Sequence, residues 1–199
     1  MSENQTPVKW ANPTPAGLVA LAMATFVFFA LLSGAVDSSA RLYAGFWLIG
    51  GFFVQIIVAL LDLRSGNAAG GNTFLFFSSF FMLISGILLL VKWWVAKEGL
   101  DVDGRIDGYV WIVLTLSTIL WTPAFFKSSK LLVAVLFILD AALPFVTLLD
   151  LKLIPASMSM VPAVLMLLSG CLTIYLAAAM VVNASLGRTV FPIPAPLIK

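Results

Sequence analysis

Six apolar stretches, each near the length of a bilayer crossing, leave this chain little sequence for anything else. They run over residues 16–36, 42–61, 74–95, 109–126, 131–149 and 160–182. About 20 apolar residues cross the hydrocarbon as a helix, and lipid offers no water to satisfy an open backbone. Of 199 residues, 62% are hydrophobic and 10% charged, with a mean hydropathy of +1.11. A soluble domain carries about a quarter charged residues. The expected fold class is therefore all-α, an integral membrane six-helix bundle in one domain spanning residues 1–199. The connections are short except at 97–108, which leaves no room for a separate soluble domain.

The same inventory narrows the chemistry. There is no histidine, so the commonest general base and metal ligand is missing, and Cys171 stands alone inside the last span. No span joins a nucleophile to a base or gathers metal ligands, so we expect neither an enzyme nor a bound cofactor or metal. The basic residues are scattered without interleaved aromatics, so nucleic acid is not an expected partner. The opening residues lack a short apolar core with a cleavage site, so a removable signal peptide is not expected. Six spans return both termini to one side. Cytoplasmic termini would place Lys9, Arg64, Lys127, Lys130, Arg188 and Lys199 inside, against Arg41, Lys92, Lys97, Arg105 and Lys152 outside. That is a slight bias toward a cell-membrane protein with both ends in the cytoplasm.

Polar residues inside spans mark the places where function can sit. Ahead of the first span stands Asn12-Pro13-Thr14-Pro15-Ala16-Gly17-Leu18. Asn12 suits a helix cap, Pro13 the first helical position, and Gly17 removes a side chain. Together they predict a helix end with oriented amides open to a small anion, beside the plainer reading of a capped membrane helix. Gln55 in the second span fits either an interhelical bond or a pore wall, and Gly45, Gly50 and Gly51 before it would admit a close backbone. The stretch 62–74, rich in glycine and asparagine, is expected to be partly unwound, with Asn72 and Thr73 as donors to a path. Asp140 lies midway along the fifth span, where a charge costs from about 3 to well over 10 kcal/mol. It could carry a coupled proton or bond a neighbouring helix. Trp111 and Trp121 are expected as interfacial anchors at the ends of span four.

Three blocks together resemble the acetate uptake transporter family, the succinate/acetate permeases of bacteria, archaea and fungi. The family signature Asn-Pro-Ala-Pro-Leu-Gly-Leu is similar to Asn12–Leu18, departing at Thr14 and Ala16. A glycine pair, a glutamine, an acidic residue and then Gly-Asn-Thr-Phe resemble Gly50, Gly51, Gln55, Asp62 and the 66–74 segment. In that segment either Gly66-Asn67 or Gly71-Asn72-Thr73-Phe74 can take the motif. The tail Gly187-Arg188-Thr189-Val190-Phe191-Pro192 resembles the third block. The resemblance implies a six-helix protomer of a homohexamer in lipid, each protomer with its own path for acetate and related short carboxylates. It also implies an apolar constriction, which falls here at Leu21, Phe77 and Leu139. The family's usual phenylalanine and tyrosine are then replaced by Leu21 and Phe77.

With no full cation inside the spans except Lys92 near the end of the third, an anion would be met by dipoles: helix ends, Asn12 to Gly17, Gln55, Asn72 and Thr73. The expectation is monocarboxylate transport, as a channel or with a proton on Asp140. A channel for small neutral solutes such as urea, or a non-conducting scaffold, stands beside it.

Overall fold

The computed structural model describes residues 10–198; Lys9 and Lys199 of the charge count above lie outside them. Six long helices follow one another: α1 (Thr14–Leu32), α2 (Arg41–Arg64), α3 (Ala68–Glu98), α4 (Arg105–Trp121), α5 (Lys130–Asp150) and α6 (Met160–Leu186). All six are long and apolar enough to cross a membrane, and no strand occurs among the described residues. The chain is a multi-pass, all-helical membrane protein. The helices stand side by side in chain order, α1 on α2, α2 on α3, α4 on α5, α5 on α6, and α6 closes the ring against α1. Phe76 against Trp121 and Phe81 against Trp111, at 5.7 and 6.0 Å between centroids, join α3 to α4.

Close packing within the ring depends on missing side chains. A Cβ on Gly45 would fall 2.7 Å from the Gly86 carbonyl, and one on Gly86 would fall 2.8 Å from that of Gly45, so α2 and α3 meet backbone to backbone. This is the close approach expected for Gly45. Gly51 instead accommodates Met23 and Met82, and Gly50 faces open space. The outward faces carry large apolar side chains such as Phe46, Trp47, Phe53 and Leu120, as a lipid-facing surface requires.

The helix ends are where sequence and structure differ most. Residues 62–74 unwind over only three residues: α2 runs to Arg64, and α3 begins at Ala68. Gly66 takes the left-handed turn at φ +84°, and Asn67 caps α3 by accepting from the Gly70 amide at 3.1 Å. One glycine and one asparagine therefore absorb the whole reversal. Trp111 is not an interfacial anchor, since it is 8% exposed and packs inward on Phe81. Irregularity appears instead within α3, where residues Phe77–Ile84 form π-helix rather than α-helix.

Opposite the termini, Lys92 of α3 pairs with Asp107 of α4 at 2.7 Å. In the loop before α4, hydrogen bonds from the Arg105 side chain and amide hold Asp103 well below the usual carboxylate range.

Candidate functional site

At the end of the ring that bears the termini, a cavity of about 490 Å³ opens between α1, α3, α5 and α6. Asn12, Thr14, Lys127 and Ser128 stand at its mouth, and Leu21, Val135 and Leu136 form its floor. Its rim is closed in part by the chain's own tail. After α6 the backbone folds back, with the Lys130 amide donating to the Ala195 carbonyl at 3.2 Å and the Leu197 amide to Phe126 at 3.1 Å. Asn183 holds this strap through the Val190 and Phe191 amides, and Ile193 reaches the cavity wall.

The α1 end differs from its expected form. Its first turn presents no free amide: Asn12 Oδ1 accepts from Thr14 at 3.0 Å, the Pro13 carbonyl accepts from Ala16 at 3.1 Å, and Pro13 and Pro15 have no amide hydrogen. The cap is satisfied internally, so an anion gains nothing from hydrogen bonds there. An acidic side chain already stands nearby. Asp62, 2% exposed, accepts from Asn67 Nδ2 at 3.1 Å and more loosely from Thr14 Oγ1, tying the ends of α1, α2 and α3 together.

The donors available to an anion lie on α3. Asn67 takes the Gly70 amide through its side chain and the Gly71 amide through its carbonyl, and Ala68 donates to Gly66. The Ala69 amide is left without an acceptor among the described residues. Thr73 lies one turn further along the same face, with a buried Oγ that also lacks a partner. Both residues line the cavity, and Lys127 borders it from the loop before α5. A helix N-terminus and a flexible cation beside an apolar cavity can hold a small anion loosely.

The residues singled out from sequence divide accordingly. Asn12, Thr14, Leu18, Thr73 and Leu21 line the cavity, whereas Pro13 borders an adjoining surface groove and Pro15 is buried in α1. Gly17 is buried against Phe74, where a Cβ would fall 2.8 Å from the ring. Gln55 is fully buried and off the cavity, donating from Nε2 to the Gly17 carbonyl at 3.1 Å; of its two readings, the geometry shows the interhelical bond. Asn72 is exposed and folds its amide back on the Ala68 carbonyl at 2.8 Å, because its position on α3 points away from Thr73.

Below the floor, Leu21, Phe77 and Leu139 come together in one buried cluster at 6, 3 and 1% exposure. Phe77 stacks edge-on with Phe76 and Phe81, and it begins the π-helical stretch. Such segments often accompany functional positions. Beyond the cluster, at the opposite end of the ring, a second cavity of about 430 Å³ is bordered by Leu32, Leu149, Lys152 and Ser159. Asp140 lies on α5 off the central axis. Its Oδ2 accepts from Thr122 Oγ1 at 2.6 Å, and its buried Oδ1 has no partner among the described residues.

Sequence reading missed Lys127, Ser128 and Ser129. The signal was present, because Ser129 precedes an apolar run and caps α5 through the Leu132 amide at 3.2 Å. That cap points the preceding lysine loop over the cavity.

The family model described as the GPR1/FUN34/yaaH family matches residues 2–197. The chain belongs to that family. Among solved structures it is similar to the bacterial acetate channel SatP, with 27% identity over 93% of this chain and 99% of the SatP chain and a TM-score of 0.78. No curated protein matches the sequence significantly. Like SatP, this GPR1/FUN34/yaaH member has the architecture of a membrane transport protein and not of an enzyme.

Proposed function

We propose that the chain is a channel for acetate and related short monocarboxylates, with one narrow path in each protomer. The observation that carries the reading is the cavity at the terminal end, lined by Ala69, whose amide has no acceptor among the described residues, and by Thr73, above a floor of leucine and valine. Weak polar capture followed by a short apolar narrowing suits a small ion that must both enter and leave. Family membership and likeness to a bacterial acetate channel support the same substrate class.

In this reading Asn12, Thr14, Leu18 and Thr73 form the entry wall, while Pro13, Pro15, Gly17, Gln55 and Asn72 hold its helices in place. Leu21, Phe77 and Leu139 are the constriction. Losing a tyrosine hydroxyl at Phe77 shifts preference among acids more than it alters passage. The Gly66-Asn67 pair, which makes the turn and the cap, takes the family's glycine-asparagine motif. The protomers assemble as a homohexamer in the cell membrane with both termini cytoplasmic, and Asp140 carries a proton if transport is coupled.

Proteoliposomes given labelled acetate test this directly. Leu21→Trp fills the floor and should abolish uptake, whereas labelled urea should enter neither wild-type nor variant vesicles. Undiminished acetate entry through Leu21→Trp, or rapid urea entry without acetate, refutes the assignment. Acidification of the lumen with acetate entry, lost in Asp140→Asn, would mark proton coupling; entry without acidification leaves a passive channel.

A further inference from the structure

Hydroxyls inside these helices almost all bond back to a carbonyl of their own helix, as Thr25 does to Ala22, Thr147 to Leu143 and Thr173 to Ser169. Among the described residues, two buried hydroxyls have no partner: Thr73 Oγ at the cavity wall and Ser169 Oγ on α6. Ser169 is 0% exposed, so it pays for burial without a return bond.

Its placement explains what such a group could serve. Met180 and Leu176 of α6 line the terminal cavity, and Ser169 continues their stripe two helical turns, about 10 Å, deeper. Just ahead of the start of α6, Ser159 borders the opposite cavity. On α1, Leu21 belongs to the constriction, and Thr25 follows one turn, about 6 Å, beyond it. A Cβ on Gly170 would fall 2.5 Å from Thr25 Oγ1, so the Ser169–Gly170 turn lies level with Thr25, just past the narrowing. The two unpaired hydroxyls therefore bracket the constriction, one on each side.

We propose that the Ser169 hydroxyl donates a hydrogen bond to the carboxylate as it leaves the Leu21–Phe77–Leu139 narrowing, forming an inner resting point between the two cavities. The proposal rests on the channel reading above. Thr25, whose proton is committed to Ala22, cannot provide this donor, and the buried cluster that holds Leu21, Leu139 and Met166 is apolar. An unpaired donor there costs folding energy unless an acceptor passes by.

Uptake of labelled acetate into proteoliposomes, measured against concentration alongside thermal melting, distinguishes the possibilities. Ser169→Ala should raise the half-saturating concentration about tenfold or more, the loss expected for one hydrogen bond to a charged group. Its melting temperature should stay level or rise. Ser169→Cys, of similar volume with a weak donor, should fall between the two in half-saturation. Wild-type half-saturation in both variants overturns the proposal, as does a fall in melting temperature that parallels the loss of uptake in both. If Ser169→Ala does not fold, Ser169→Cys alone decides. Wild-type vesicles that take up no acetate would sink the channel reading itself, a distinct outcome.

Discussion

Single residues set the terms at the cavity mouth, and Asn67 has more tasks than any other there. It caps α3, fixes Asp62 and accepts from the Gly71 amide. Asn67→Ala should lower stability by about 1–2 kcal/mol, seen as a reduced melting temperature, because a cap and a contact to a buried carboxylate vanish together. Lys127 acts only through its charge. It is exposed and outside any ion pair found among the described residues, so Lys127→Glu should leave melting unchanged while reducing acetate uptake several-fold, most strongly at low ionic strength. Gly17→Ala should destabilise by about 1–3 kcal/mol, since its Cβ would push on the Phe74 ring.

At the level of helices, α2 and α3 provide a clean test of how the ring is held. Gly86→Leu should separate them and cost about 1–3 kcal/mol or more, with detergent-solubilised protein melting earlier; an unchanged melt would mean the contact between Gly45 and Gly86 is dispensable. The number and type of helices could be read from hydropathy because lipid allows a backbone few alternatives. Their ends were harder to read. The glycines and asparagines of 62–74 suggested unwound chain, yet three residues suffice to turn, and alanines and glycines continue as helix once Asn67 caps them. Trp111 looked like an anchor from its place near a span end, but only its partner Phe81 on another helix reveals that it points inward. The candidate site was partly visible for the same reason. Local motifs picked out Asn12, Thr14 and Thr73, whereas the direction in which Asn72 and Gln55 point depends on helix phase and neighbours. The π-helical stretch after Phe77 has no signature in the sequence that we can identify.

Across the whole molecule, two cavities at opposite ends are separated by a packed centre, with Leu139, Phe81 and Met82 each at 1% exposure or less. Passage therefore requires side chains there to swing aside. Enlarging the gap should quicken this step, so Leu139→Ala should admit longer carboxylates such as butyrate, at a stability cost of about 2–5 kcal/mol. Competition by butyrate against labelled acetate is the measurement. The returning tail adds a practical corollary. Because Ile193 forms part of the cavity wall and Leu197 is stitched to Phe126, a fluorescent protein fused at the carboxyl terminus would hang beside the vestibule, whereas cutting the chain after Leu186 would breach its side.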